Sequence, residues 1–332
     1  MRCCLFSETF WLEISKGNEK NRKAFTKNEH QGTDSRAFLF KALIWGDYGG
    51  INKFMKRIAA ITMVRNDKFF LHKWVEYYGK HLGKENLFIF FDGLDQEIPD
   101  FCQDIYSEKV DKIGSNVVSS DKGRIKFISG QADLLFKKGY DIIIGGDADE
   151  YLVVDPKLNV PLKEFLSSLR FKNCVSGLGL DFGQMLGQEY DLTLSKPFLR
   201  QRRFAQISTR YTKATVINTP SEWGSGFHRV KGRNFHIIPG LYLMHFGYSD
   251  LKIIEERFGD KDKIKQGWSR HINKRKRVIR FVNSLPIRKF ETTVKMARKI
   301  ERVFRPPYAW NKPGLLGLRL MVELPERFEN SL

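Results

Sequence analysis

The chain has 332 residues, of which 42% are hydrophobic and 29% are charged, and its formal net charge is +19. This length is enough for one large or two modest cores, and without a run of about 18 apolar residues no membrane-spanning helix is expected. The start lacks the pattern of a signal peptide, and four cysteines are too few for a disulfide framework in so long a chain. Both features predict a cytoplasmic protein with reduced thiols.

The first 54 residues differ from the rest because they are polar and show no clear period. At Met55 a short basic start leads directly into an apolar run, as in many bacterial α/β proteins. We therefore expect an N-terminal extension at 1–54, a main domain at 55–250 and a basic, mainly helical region at 251–332. One hypothesis is that translation starts at Met55, and the alternative is that residues 1–54 form a genuine flexible arm.

From Met55 onward, apolar runs alternate with segments of helical spacing. Buried strands that alternate with helices predict a doubly wound, mostly parallel sheet. After about residue 180 the pattern becomes mixed strands and loops, and a helical tail follows. In chain order the predicted elements are strand 58–64, a capping segment at 65–67, helix 71–82 ended by Gly83, strand 87–91, helix 99–106, strand 116–119, a helix from about 125 to Gly139, strand 141–146, helix 162–169 and strand 175–180.

The most informative stretch is an apolar strand that ends in three carboxylates, Asp147, Asp149 and Glu150. Gly145 and Gly146 precede them and would let a ligand or another backbone approach closely. Crowded carboxylates are costly unless a cation neutralises them, and open α/β sheets bind ligands at the carboxyl ends of their strands. The pattern predicts a site for a metal ion and a diphosphate, and the alternative is a solvated acidic turn.

Several short motifs in one order resemble the GT-A glycosyltransferases of the family 2 and family 92 group. The similarity extends over roughly residues 58–260, and its motifs together are more specific than any one of them. The motifs are Val64-Arg-Asn-Asp67, Leu71-His-Lys-Trp-Val-Glu-Tyr-Tyr78, Leu82-Gly83, Phe90-Phe-Asp92, Asp147-Ala-Asp-Glu-Tyr-Leu152, Leu180-Asp-Phe-Gly183 and Tyr248-Ser-Asp-Leu251.

The resemblance implies a GT-A fold that transfers a sugar from a nucleotide-diphosphate sugar to a hydroxyl of a glycan or lipid-linked acceptor. It also implies Mn²⁺ or Mg²⁺ as cofactor and, by analogy, inversion at the anomeric carbon. Asn66 and Asp67 would lie beside the nucleotide, and Asp92 would accept a hydrogen bond from the base. Asp147 would lie near the ribose and the metal, and Asp149 would be the main metal ligand.

Three further residues are candidates for the same site. His245 follows an apolar run and is expected as a metal ligand, although a histidine among apolar residues is often a hydrogen-bonded core residue. An inverting transfer needs a base for the acceptor hydroxyl, and Asp181 ranks before Glu222 because it follows a predicted strand. The alternative for both carboxylates is a surface salt bridge.

Most of the net positive charge lies in the C-terminal tail, where residues 252–305 hold 18 Lys plus Arg against 6 Asp plus Glu. Residues 274–282 and 287–304 have the pattern of basic amphipathic segments. This pattern favours an anionic membrane surface as a partner, with the protein bound at the inner face of the membrane. The alternative is an ordinary helix packed by its apolar stripe, while nucleic acid is unlikely because no binding motif accompanies the charge. Two other functions stay open, a different metal-dependent phosphoryl enzyme and a non-enzymatic binding protein.

Overall fold

The first half of the fold is a parallel sheet with connecting helices. The computed structural model describes residues 55–114, 116–232, 236–259, 276–303 and 319–332, together with 265, 269 and 273, so the extension predicted at 1–54 lies outside the described residues. Parallel pairing joins the first four strands in the order β4-β1-β2-β3. These elements are β1 (Ile58–Val64), α1 (Lys68–Leu82), β2 (Leu87–Asp92), β3 (Tyr106–Val110), α2 (Val117–Lys137) and β4 (Ile142–Gly145).

The second half extends this sheet with mixed pairing. Its elements are β5 (Glu150–Val154), α3 (Leu162–Ser168), β6 (Cys174–Phe182), α4 (Phe198–Gln201), β7 (Phe204–Ile207), β8 (Val216–Ile217), β9 (His236–His245), α5 (Leu251–Gly259), α6 (Arg277–Ser284), β10 (Ile287–Arg288), α7 (Phe290–Val303) and β11 (Leu320–Glu323). Strand β8 lies antiparallel between β4 and β6, while β9 pairs parallel with β6 and antiparallel with β5. The predicted α/β fold with a largely parallel central sheet is confirmed at this level.

Helix ends follow local backbone chemistry, and two predicted elements are wrong. The strand expected at 116–119 is the start of α2, because the Asn116 side chain accepts hydrogen bonds from the backbone N–H of Val118 and Ser119 and thereby caps the helix. The helix expected at 99–106 is a single 3₁₀ turn, Asp100–Cys102, followed by β3. Helix α1 ends where expected, at Gly83 with φ of 91°.

The capping segment expected at 65–67 uses its side chains differently. Asp67 precedes α1, yet its side chain makes no capping hydrogen bond. The carboxylate is instead paired with Arg257 of α5. This long-range pair joins the end of β1 to α5.

The C-terminal helices pack their apolar stripes into the protein. Val278, Ile279 and Val282 of α6 are buried, as are Phe290 and Val294 of α7. This matches the ordinary-helix interpretation of the tail, and the short strand β10 between the two helices was not predicted. Across the described ranges, none of the helices is both long enough and apolar enough to cross a bilayer.

Candidate functional site

Strand register brings three ionisable side chains into one row. His245, the last residue of β9, is paired with Glu150 of β5 on one side and with Asp181 of β6 on the other. Directly paired residues of neighbouring strands project to the same face of a sheet. Glu150, His245 and Asp181 are each less than a tenth exposed, so this row lies in the interior.

Asp147 and Asp149 occupy the short connection between β4 and β5. The backbone carbonyl of Asp149 accepts a hydrogen bond from the N–H of Phe246 at 3.0 Å, which fixes the connection against the end of β9. Asp149 is 8% exposed, and its Oδ2 lies 3.7 Å from His245 Nε2. The space at Gly145, expected to admit a ligand or backbone, is filled by the Trp223 ring.

A loop from the second half of the chain delivers Lys213 to the acidic cluster. The loop crosses β6 at Gly179, whose N–H donates to Thr212 Oγ1 at 3.0 Å and whose carbonyl accepts from Ser208 N–H at 2.9 Å. A Cβ at position 179 would collide with the backbone of Tyr211 and Thr212, so this approach requires glycine. The ammonium of Lys213 then contacts the carboxylates of Asp147 and Glu150.

The two carboxylates that share Lys213 differ in their proton affinity. Burial, reinforced by the negative charges of Asp147 and Asp149, raises the pKa of Glu150 to about 8 in spite of Lys213. Burial also acts on Asp147, but Arg124 at 2.7 Å and Lys213 at 3.3 Å outweigh it and lower the pKa of that carboxyl. Asp147 is therefore an anion held by two cations. The negative charge of Glu150, in contrast, is only partly compensated by Lys213.

His245 is held on two sides by its neighbours. Its Nδ1 lies 2.7 Å from Asp181 Oδ1, and the Tyr211 ring stacks on the imidazole with centroids 3.7 Å apart. If Nδ1 carries the proton and donates it to Asp181, Nε2 keeps its lone pair on the side of Asp149. A carboxylate behind a histidine is the usual arrangement around a metal-binding imidazole.

Asp149 and Asp67 share one cation from α5. Arg257 Nη2 lies 2.8 Å from Asp67 Oδ2 and 3.1 Å from Asp149 Oδ2. Burial alone would lower the pKa of Arg257, but the two carboxylates raise it above its usual value, so the guanidinium stays charged. The predicted nucleotide-side residue Asp67 and the predicted metal ligand Asp149 are thereby brought together.

Three side chains could hold a divalent cation, namely Asp149, Glu150 and His245, whose ligand atoms all lie within 4.8 Å of one another. The second oxygen of Glu150, Oε2, is buried and has no hydrogen-bond partner, as expected of an atom that needs a cation. Two carboxylates and an imidazole form a donor set that several divalent cations accept. The set differs from the predicted one, because Glu150 takes the place of Asp147, which is occupied by Arg124 and Lys213.

Three predicted residues make other contacts. Asn66 exchanges hydrogen bonds with the side chain of Gln96, and Asp92 Oδ1 accepts from the backbone N–H of Ile113 at 2.7 Å. Glu222 is about half exposed and is paired with Lys231, which is the salt-bridge alternative considered for it.

Sequence reasoning did not identify the cations Arg124, Lys213 and Arg257 or the aromatic ring of Tyr211. One signal was present in Ser176-Gly-Leu-Gly-Leu180, because glycines two residues apart in a strand indicate a backbone or ligand that approaches one face. The remaining contacts depend on the fold. In comparisons with known proteins, no family model and no curated protein matches the chain.

Proposed function

We propose that this protein is a metal-dependent glycosyltransferase that transfers a sugar from a nucleotide-diphosphate sugar to a hydroxyl of a glycan or lipid-linked acceptor, with inversion. The observation that supports it most is the convergence of Asp149, Glu150 and His245, whose ligand atoms lie within 4.8 Å of one another, with Asp149 and Glu150 close behind the buried strand β4. Open α/β sheets bind ligands at this end of their strands. The residue motifs that resemble GT-A enzymes include the same segment.

Each charged side chain then has a physical role. Asp149, Glu150 and His245 would hold Mn²⁺ or Mg²⁺, which when bound offsets negative charge on the departing diphosphate. Asp181 would keep the proton of His245 on Nδ1 and so orient Nε2, a role that suits a positioning residue better than the base expected from the sequence. Lys213 and Arg124 hold Asp147 and keep the loop after β4 in place.

The test is metal-dependent transfer from a panel of nucleotide sugars, measured with Mn²⁺, with Mg²⁺ and with EDTA. We expect Asp149→Asn to lower turnover by at least about 100-fold, since a metal ligand contributes several kcal/mol and 1.4 kcal/mol is tenfold. The matched control is Asp104→Asn, whose carboxylate is 79% exposed beside Lys84. Normal turnover in Asp149→Asn would refute the proposal.

Two further results refine it. Asp181→Asn should weaken Mn²⁺ binding by about 10-fold to 100-fold if Asp181 positions His245, whereas a base would change turnover alone. Hydrolysis of the donor or of other phosphoesters without any acceptor would favour a different metal-dependent phosphoryl enzyme at the same residues.

We also propose an anionic membrane surface as a partner of the C-terminal helices. In the described part of 276–303, exposed lysines and arginines lie on both helices and on β10, and Ile287 and Met296 are exposed between them. Because the apolar stripes of α6 and α7 are buried in the protein, this attraction would be electrostatic and would not depend on helix insertion.

A further inference from the structure

Arg257 contacts the acidic site through the oxygen of Asp149 that lies nearest His245. Its Nη2 lies 3.1 Å from Asp149 Oδ2, and that oxygen lies 3.7 Å from His245 Nε2. Asp149 and His245 both belong to the candidate metal set. One carboxylate oxygen therefore faces a guanidinium on one side and the metal-binding imidazole on the other.

The three groups border a common space beside Gly247. A Cβ built at Gly247 would lie 2.9 Å from His245 Nε2 and 3.0 Å from Arg257 Nη1, and it would collide with Asp149 Oδ2. Glycine keeps this space clear of side-chain atoms. A divalent cation held by Asp149 and His245 would thus have a positive guanidinium as a close neighbour, which is unfavourable in a partly buried site.

Arg257 has supports that do not depend on Asp149. Its guanidinium lies 5.4 Å from the centroid of the Phe70 ring and 5.1 Å from that of the Tyr248 ring, and Asp67 Oδ2 is 2.8 Å from Nη2. Aromatic faces attract a guanidinium while leaving its N–H donors usable. The side chain can therefore give up Asp149 and still remain in the site.

We propose that Arg257 is an alternative counter-ion of Asp149. When the divalent cation binds, Arg257 releases the Asp149 carboxylate to it and then binds the diphosphate of the donor. The inference rests on the proposed function for the identity of its anionic ligand. In the donor-free protein, Arg257 then competes with the cation for Asp149. Once the cation is present, Arg257 strengthens binding of the donor. Removal of the guanidinium must then change the two affinities in opposite directions.

The experiment measures Mn²⁺ affinity alone, by the electron paramagnetic resonance signal of free Mn²⁺, and then the affinity for UDP, GDP and dTDP at saturating Mn²⁺. We expect Arg257→Gln to bind Mn²⁺ at least about fivefold more tightly and the preferred diphosphate at least about fivefold more weakly, the lower end of ordinary coupling between sites. Arg203→Gln is the matched control, since Arg203 also contacts two carboxylates, those of Glu323 and Glu329. It should change neither affinity.

A folded Arg257→Gln variant with unchanged or weaker Mn²⁺ affinity would overturn the inference. If this variant does not fold, the double variant Arg257→Gln, Asp67→Asn removes one charge of each sign, and it should show the same tighter Mn²⁺ binding. Failure of the proposed function gives a different result. In that case Asp149→Asn leaves the Mn²⁺ affinity of the otherwise unaltered protein as it was.

Discussion

The cations around the acidic site and those on the C-terminal helices have the same formal charge in opposite surroundings. Lys213 is 3% exposed, and Arg257 is 15% exposed between two rings and two carboxylates. On α6, β10 and α7 the side chains of Arg280, Arg288 and Lys295 point to solvent. Net charge alone therefore does not distinguish the roles of these cations. The buried ones organise a site, whereas the exposed ones contribute to the electrostatic potential at the protein surface.

The largest effect is expected at Lys213. Lys213→Met removes the buried cation that the carboxylates of Asp147 and Glu150 share, and removal of one partner from a buried pair typically costs about 3–5 kcal/mol in the free energy of unfolding. Urea denaturation measures this change. Lys231→Met is the control, because it breaks a Lys–Glu pair that is about half exposed and should cost less than about 1 kcal/mol. Equal losses in the two variants would remove the distinction between buried and exposed cations.

A smaller effect is expected for the exposed region on anionic vesicles. Replacement of Arg288, Lys289 and Lys295 by Gln should weaken binding to phosphatidylserine vesicles by about 3 kcal/mol at low salt, at roughly 1 kcal/mol for each cation. Binding of the unaltered protein should also fall as salt is added. Sedimentation of the vesicles measures both effects.

The control for the vesicle experiment replaces Lys80, Lys84 and Lys109 by Gln, which are exposed on other elements and change the net charge equally. If this triple variant loses as much binding, the attraction depends on the total charge and the C-terminal helices are not a distinct surface. If neither triple variant loses binding, the proposed partner is wrong.

The smallest effect is expected at His81, which is partly buried and is thus intermediate between the buried and the exposed cations. Burial, together with the charge of Lys80, lowers the pKa of His81 below its ordinary value of 6.5. Just below pH 6.5 the unfolded chain therefore binds more protons than the folded one, and stability rises with pH in that window. Denaturation at several pH values should show this slope, and it should be reduced in His81→Gln. An unchanged slope would mean that His81 is not the group responsible.

The sequence predicted much of the parallel half and the acidic end of the site, because both depend on local patterns. Strands 58–64 and 141–146 are apolar runs, and Asp149 and Glu150 directly follow the second of them. Asp181 and His245 were recognised because each follows an apolar run, and in the structure both lie within strands, β6 and β9. The strand register that makes them neighbours was not predictable from either segment alone.

The partners of these carboxylates could not be predicted, since each pair joins distant parts of the chain. Lys213 is 63 residues from Glu150, and Arg257 is 190 residues from Asp67. Charge patterns identify which groups need compensation, but only the folded chain determines which cation supplies it. For this reason Asp147 was expected as a metal ligand, whereas in the structure two basic side chains hold it.

Gly179 links steric fit to electrostatics in a way that neither property reveals alone. The loop from Ser208 to Lys213 can pack against β6 only because residue 179 is glycine and has no Cβ. A side chain there would lift the loop and withdraw the ammonium from Glu150, although residue 179 itself carries no charge. The proton affinity of the acidic site therefore depends on the absence of a side chain in a neighbouring strand.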